Sequence, residues 1–222
     1  MEKADPRRRR RLTRSEAQAL TRQRLLDAAA EVFAEQGFRA ASLSDVADRA
    51  GYTIGAVYSN FASKDEVFHA LMRERLRMVE DALAAAFQDD ETGSGPATAS
   101  VEDRIEQELD RMALAEDAVP PGWWRLLYEY RTYAVSDPAQ WLELSEVERR
   151  CREIIARYIE RFAAAVGLVL PLTAIELAEL STALTDGLRA AHAEGRSTLT
   201  SGAGLRQVVA ALIATSTRVD PA

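Results

Sequence analysis

The chain has little of what disulfide-bonded folds and most metal sites need. Its 222 residues include one cysteine, Cys151, and two histidines, His69 and His192. A single cysteine excludes an internal disulfide framework and a cysteine-rich zinc site, and two histidines leave little for a histidine-built metal centre. We therefore expect no metal ion and no other cofactor.

Long apolar runs and catalytic motifs are missing as well. No apolar stretch approaches the roughly 20 residues that a membrane-spanning helix needs. None follows the arginines at positions 7–11, as a secretory signal would require. The chain shows no Ser/His/Asp arrangement, phosphate-binding loop or dinucleotide fingerprint. We therefore expect a cytoplasmic protein that is not an enzyme and has no catalytic residues.

The charge of the chain is unevenly distributed. Its net charge is −7, which by itself argues against nucleic acid as a partner. Residues 1–64 nevertheless carry 12 Lys and Arg against 8 Asp and Glu, a balance of +4, which leaves −11 for residues 65–222. A basic N-terminal part on an acidic remainder favours an anionic partner for the N-terminal part only.

Helical periodicity runs through almost the whole chain, and strand signals are nearly absent. Capping-box spacings such as Thr13 with Glu16 open helices, and glycines such as Gly37 end them. We predict an all-α fold of about nine helices, three small and then six larger, with a loop over residues 89–100 and a turn over 120–122. The predicted helices cover about residues 13–36, 42–50, 54–61, 64–88, 100–117, 123–135, 137–167, 173–194 and 202–217.

Residues 42–61, SLSDVADRAGYTIGAVYSNF, are the most informative segment. Two short helices joined by a tight turn that begins with glycine are typical of a helix-turn-helix, whose second helix fits the DNA major groove. Gly51 supplies the positive φ of the turn, and Thr53 begins the second helix. We predict a helix-turn-helix DNA-binding domain over residues 14–63 and a second domain over 64–222. The basic, disordered arm over residues 1–13 either contacts DNA or is a solvated tail.

The segment from Thr21 to about Leu71 resembles the tetracycline-repressor (TetR/AcrR) family of bacterial regulators. The resemblance rests on TRQRLLDAAAEVFAEQGF, ASLSDVADRAG and GAVYSNFASKDEVF, which lie within roughly a quarter of the chain. The number of helices, with a long one beginning at Lys64, agrees with the family across the remainder. The resemblance implies a three-helix DNA-binding domain followed by a six-helix domain that binds a ligand and dimerises.

The resemblance also implies roles for individual residues. Base edges would be met by Ser44, Thr53, Ile54, Gly55 and Ala56, phosphates by Ser42, Tyr58, Asn60 and Lys64, and either by Ser59. Ile54, Gly55 and Ala56 have little hydrogen-bonding capacity, so they can touch thymine methyls but cannot make the bidentate contacts that discriminate strongly. Either Thr53 and Ser44 read the bases directly, or DNA shape contributes much of the specificity.

Aromatic residues concentrate in the second domain, where the family has a cavity for an inducer. Four residues with helical spacing could line such a cavity: Trp124, Leu127, Tyr128 and Arg131. Arg125 or Arg131 could pair with an anionic group of the ligand. The alternative is that all of these are ordinary core and surface residues.

The last two predicted helices carry apolar stripes: Leu177, Leu180, Leu184, Leu188, Leu205, Val208, Val209 and Leu212. In the family, the equivalent helices of two subunits form a four-helix bundle, which implies a homodimer. Burial within one subunit is the alternative.

The resemblance implies a ligand-responsive repressor as the function. A homodimer would bind a palindromic DNA operator, and a small-molecule inducer of unknown identity would release it by favouring a state that does not fit DNA. An activator or a global DNA binder with the same helix-turn-helix is the alternative, because the direction of regulation depends on where the operator lies.

Overall fold

The computed structural model describes residues 13–91, 100–117, 121–215 and 217–218. The nine helices within these residues are α1 (Arg14–Gln36), α2 (Leu43–Ala50), α3 (Ile54–Tyr58), α4 (Lys64–Glu91), α5 (Val101–Asp117), α6 (Pro121–Ala134), α7 (Pro138–Ala165), α8 (Ala174–Ala193) and α9 (Ser201–Thr215). They confirm the predicted all-α architecture. The predicted basic arm of residues 1–13 lies outside the described residues, apart from Thr13.

Several helix ends differ from the prediction. α4 continues to Glu91, into the segment predicted as a loop, and α6 begins at Pro121, inside the predicted turn. Proline is tolerated there because the first turn of a helix has no intrahelical partner for its N–H groups. α3 ends at Tyr58 rather than near Phe61, because the N–H of Asn60 bonds the Val57 carbonyl at 2.9 Å and tightens the last turn.

Two very short strands pair the segment after α7 with the segment after α9. β1 (Leu168–Val169) and β2 (Thr217–Arg218) pair antiparallel, with Leu168 opposite Arg218. The last helix therefore ends at Thr215, earlier than predicted. Two-residue strands are too short to produce the alternating pattern that identifies a strand in a sequence.

The chain divides into two compact units, residues 1–71 and 72–222, which we call the head and the body. The division falls inside α4, whereas the predicted boundary lies just before that helix. Val67 and Phe68 in the first turns of α4 are fully buried, and the rings of Phe68 and Phe38 lie 5.6 Å apart. The beginning of α4 therefore belongs to the core of the head.

The core of the head holds α1, α2 and α3 together. Leu25, Ala29 and Phe33 form the buried face of α1, and Val46 of α2 and Val57 of α3 are fully buried. These side chains recur at helical spacing on α1, as an amphipathic helix requires. The core leaves the opposite face of α3 exposed.

The body is a helical assembly in which α5 packs against α9, and α8 packs against both α7 and α9. Its fully buried side chains include Tyr130, Leu126, Leu109 and Leu144. A β-carbon at Gly204 would lie 2.2 Å from Cδ1 of Leu188, so α9 approaches α8 closely at this glycine. Within the described ranges, no helix is long and apolar enough to span a membrane.

Candidate functional site

The start of α2 is held by its own first turn. The N–H of Asp45 donates to Oγ of Ser42 at 3.1 Å, and the N–H of Ser42 donates to Oδ2 of Asp45 at 3.0 Å. The hydroxyl of Ser42 also donates to this carboxylate at 2.7 Å. These bonds from Ser42 lower the pKa of Asp45 below its ordinary value. Ser42 is thus a helix cap, and Ser44 in the same turn is exposed.

The turn between α2 and α3 has the geometry that the motif predicts. Gly51 has φ 72° and ψ 31°, the left-handed conformation that side chains disfavour. A β-carbon there would meet no atom within 4 Å, so the requirement for glycine is conformational rather than steric. Thr53 caps α3 by accepting the N–H of Ala56 at 3.3 Å.

The exposed face of α3 forms one surface with the start of α2. Ile54 is 41% exposed and Tyr58 is 60% exposed, while Val57 on the opposite side is buried. An open depression of about 570 Å³ lies beside them. It is lined by Ala41, Ser42, Leu43, Ser44, Ile54, Tyr58, Ala62, Ser63 and Lys64. The structure therefore gathers half of the residues predicted to contact DNA around one depression.

Lys64 has a structural role that the sequence interpretation missed. Its ammonium donates to the carbonyls of Phe38, Arg39 and Ala41 at 2.8, 3.2 and 3.0 Å, and it lies 4.6 Å from the Phe38 ring centroid. An ammonium has three N–H donors, and all three have protein acceptors here. Lys64 ties the start of α4 to the segment between α1 and α2. Its contact with a phosphate stays a prediction that requires some of these bonds to be exchanged.

The side chains of two other residues predicted to contact DNA also donate hydrogen bonds within the protein. The hydroxyl of Ser59 donates to the Gly55 carbonyl, and Nδ2 of Asn60 donates to the Ala56 carbonyl, each at 2.8 Å. Both side chains therefore satisfy carbonyls of α3. Among the predicted phosphate contacts, Tyr58 is 60% exposed, and Ser42 is exposed as well.

Two arginines not assigned to the site brace it. Nη1 of Arg22 donates to the Asn60 carbonyl at 2.5 Å, and its guanidinium lies 4.0 Å from the centroid of Phe61. Arg49 of α2 forms ion pairs with Glu31 and Glu35 of α1 at 3.0 and 2.7 Å. The hydrogen bond from Arg49 lowers the pKa of Glu35. Arg22 lies within the segment TRQR that carried the resemblance, so its position could have been noticed.

In the body, the residues predicted to bind a ligand have different environments. Leu127 is a core residue, 5% exposed, and the hydroxyl of Tyr128 donates to the Asp186 carbonyl at 2.8 Å. Arg131 donates to carboxylate oxygens of Glu148 and Asp186, both at 2.7 Å. Burial would lower the pKa of Arg131, but these hydrogen bonds outweigh burial and raise it. Two carboxylates engage Arg131 here, so its pairing with an anionic ligand stays a prediction that requires these bonds to be exchanged.

Trp124 is the fourth residue predicted to bind a ligand, and it stacks against a charged side chain. The Arg189 guanidinium lies 3.3 Å from the centroid of a Trp124 ring, which is a close cation–π contact. Arg189 also forms ion pairs with Glu116 of α5 and, at 3.1 Å, with Asp186 of α8. Burial lowers the pKa of Arg189 to about 10, so it remains charged at neutral pH.

We call this set the polar cluster: Glu116, Trp124, Tyr128, Arg131, Glu148, Asp186 and Arg189. Its charged members on α5, α7 and α8 are not among the residues that the sequence predicts to bind a ligand. One signal was present, since Asp186 and Arg189 lie three residues apart on the side of α8 away from its apolar stripe. An open depression of about 280 Å³ is lined by Arg152, Glu179, Thr182, Ala183 and Asp186. None of the four predicted ligand residues lines it.

The residues predicted for a dimer interface fall into three groups. Leu177 and Leu205 are 8% and 7% exposed, so they belong to the core of one chain and their assignment to an interface is wrong. Leu180 and Val208 are 56% and 44% exposed and are accessible to a partner. The remaining four are half-buried: Leu184, Leu188, Val209 and Leu212.

The N-terminal segment of the chain is similar to known proteins. Residues 25–71 match the family model of bacterial regulatory proteins, tetR family. Over 70 residues the chain is 47% identical to the HTH-type transcriptional regulator SrpR of Pseudomonas putida, which is 32% of each protein. The chain thus matches about a third of the length of this curated relative. That relative is named as a transcriptional regulator.

Solved structures extend the similarity to the whole fold. A TetR-family transcriptional regulator from Rhodococcus sp. superposes with a TM-score of 0.65 and 24% identity, covering 88% of this chain and 99% of that chain. A transcriptional regulator from Saccharomonospora viridis in complex with choline gives a TM-score of 0.65 and 20% identity, covering 90% and 100%. At these identities the likeness establishes the fold alone.

Proposed function

We propose that the chain is a ligand-responsive transcriptional regulator, because residues 25–71 match the family model of bacterial regulatory proteins, tetR family, and the fold resembles that of solved regulators. In this proposal a homodimer represses transcription from a palindromic operator. The observation that carries the proposal is the exposed face of α3 beside the depression at the start of α2. A protruding helix with a braced turn is the element that enters a major groove.

The chemistry of this face supports DNA contact with modest direct reading of bases. Ile54 and Gly55 offer apolar or minimal surface, suited to thymine methyl groups, and Tyr58 offers a hydroxyl for a phosphate. Thr53 and Ser44 are the exposed hydroxyls that could reach base edges. The remaining specificity would come from the shape of the operator.

A dimer is proposed from the exposed apolar residues of the last two helices. Leu180 on α8 and Val208 on α9 are accessible, and the neighbouring Ala183 and Ala211 are exposed as well. A two-fold interface would fix the spacing between two copies of α3, as a palindromic operator requires. Replacing Leu180 and Val208 together with arginine should convert the dimer to a monomer in analytical ultracentrifugation. The same double change at Leu114 and Leu142, also exposed, is the matched control.

Ligand control is proposed for the body. The solved regulator with choline shows that a protein of this fold is crystallised with a small molecule. A ligand that binds a DNA-incompetent state more tightly shifts the population away from the operator. α4 is continuous from the head into the body and is the connecting element in this proposal.

The decisive experiment is a DNase footprint on the DNA upstream of the protein's own gene. We expect a protected palindrome, and we expect Tyr58→Ala to weaken binding roughly tenfold, the size of one lost direct contact. Val135→Ala, an exposed apolar change in the body, should leave the footprint unchanged. Equal footprints from the wild type and the Tyr58 variant would contradict the assignment of the α3 face.

A further inference from the structure

The open depression between α7 and α8 borders the apolar surface proposed for the dimer. One of its lining residues, Ala183, is exposed and follows Leu180, which is 56% exposed, by three positions on α8. Residues three apart lie on the same side of a helix. The depression is therefore continuous with the exposed apolar face of α8. Its lining comes from α7 and α8: Arg152, Glu179, Thr182, Ala183 and Asp186.

The charged residues that line this depression differ in whether they have partners within the chain. Asp186 is engaged by Arg131 at 2.7 Å and by Arg189 at 3.1 Å. Arg152 and Glu179 carry opposite charges, yet neither forms an ion pair with the other or with another side chain of the described ranges. One arginine and one glutamate are therefore available to a partner at the edge of the apolar face.

A second copy of the chain offers the matching charges. In a two-fold interface, every contact from one residue to a second residue is repeated from the second to the first. A surface with one sign of charge repels its own copy across such an axis, whereas a surface with both signs side by side can attract it. Arg152 and Glu179 border apolar residues, and the edge of an interface is where its polar rim lies.

We propose that Arg152 pairs with Glu179 of the partner subunit and that Glu179 pairs with Arg152 of the partner subunit. The proposal rests on the proposed homodimer and names the charged contact that sets how its subunits meet. Solvent screens pairs at a rim, so they add little affinity, but like charges that face each other oppose association. The two pairs therefore favour one orientation of the subunits, and favour a second copy of this chain over a chain that lacks either charge.

The test reverses each charge in the full chain and measures self-association by analytical ultracentrifugation. Arg152→Glu places two carboxylates against each other at both contacts, and Glu179→Arg places two guanidiniums there. We expect each single variant to raise the Kd of the dimer about tenfold. The double variant restores opposite charges at both contacts and should dimerise as the wild type does.

A mixture of the two single variants separates a contact between subunits from one within a subunit. In a mixed dimer, one subunit presents carboxylates at both positions and the other presents guanidiniums, so both contacts are attractive. Native mass spectrometry of an equimolar mixture, with one variant isotope-labelled, should show more mixed dimer than random pairing gives. The matched controls are Arg150→Glu and Glu160→Arg, since both residues are exposed on α7 and the changes in charge are the same. These controls should dimerise as the wild type does and should pair at random.

Neutral variants keep the test available if a reversed charge prevents folding. Arg152→Gln and Glu179→Gln remove one charge without adding the opposite one, and each should raise the Kd of the dimer about threefold. Added salt weakens the wild-type dimer by screening the two pairs, so salt should weaken the dimers of the neutral variants less.

The outcomes distinguish the contact from the dimer and from the regulator. A wild-type dimer whose charge-reversed variants associate equally well, or pair at random when mixed, refutes the contact and leaves the homodimer. A monomeric wild type refutes the homodimer together with the contact, and leaves the depression to another occupant. A dimer that follows the charge changes but gives no footprint on DNA refutes the proposed regulator and leaves the contact.

Discussion

The head and the body use their charged side chains differently. In the head, Lys64 and Arg22 donate to backbone carbonyls, and Ser42 caps the helix that follows it. In the body, charged side chains hold one another, as in the links from Asp186 to Arg131 and Arg189. The first arrangement fixes the path of the backbone, and the second fills the space between helices with paired charges.

The difference bears on what each unit can do. Backbone carbonyls held by side chains give the α3 face a defined shape in advance, which would reduce the ordering cost of the DNA binding that we propose. A buried network of charges is sensitive to any group that enters it, because each member depends on the others. The head is thus suited to recognition by a preformed surface, and the body to response.

The largest effect is expected when the network of the body is broken. Asp186→Ala leaves Arg131 and Arg189 each short of one carboxylate in a mostly buried site, which should destabilise the body by about 3 kcal/mol. All three tryptophans lie in the body, so urea denaturation followed by tryptophan fluorescence reports on this unit. Asp110→Ala, which removes an exposed ion pair with Arg206, is the control and should change little. Equal urea midpoints for the two variants would show that the charge network does not stabilise the body.

The difference between the head, with its local bonds, and the body, with its contacts between helices, also explains how much the sequence could predict. Capping boxes at Thr13, Ser42 and Thr173 and the turn at Gly51 are local patterns, and the structure contains each of them. The polar cluster draws on α5, α6, α7 and α8, and helical periodicity does not say which faces meet. Leu177 and Leu205 show the same limit, since an apolar stripe does not distinguish a core from a surface between subunits.

The next effect concerns Lys64 and separates its two roles. Lys64→Met keeps the side-chain length but removes three hydrogen bonds to carbonyls, so we expect a loss of about 2 kcal/mol in the stability of the head without DNA. Circular dichroism should show an earlier transition, while the tryptophan transition of the body stays in place. A variant that unfolds like the wild type yet binds DNA weakly would favour the phosphate role alone.

A smaller effect is expected at the turn of the head, with an opposite effect in the body. Gly51→Ala forces alanine into φ 72°, which should cost the head about 1 kcal/mol, although the β-carbon meets no neighbour. Gly187→Ala on α8 also meets no neighbour within 4 Å, and it should stabilise the body by about 0.5–1 kcal/mol through helix propensity. Thermal denaturation measures both, and changes of the same sign would contradict the conformational argument.

The smallest effect is expected for the ion pairs between charged side chains of the head. Arg49 pairs with Glu31 and Glu35, but all three are largely exposed, and solvent screens such pairs. Arg49→Ala should therefore shift the denaturation midpoint of the head less than Gly51→Ala does, and about 1 M salt should erase the difference from the wild type. A large shift that persists in salt would mean that the α1–α2 brace acts like the buried network, because only pairs removed from solvent keep their strength when mobile ions are added.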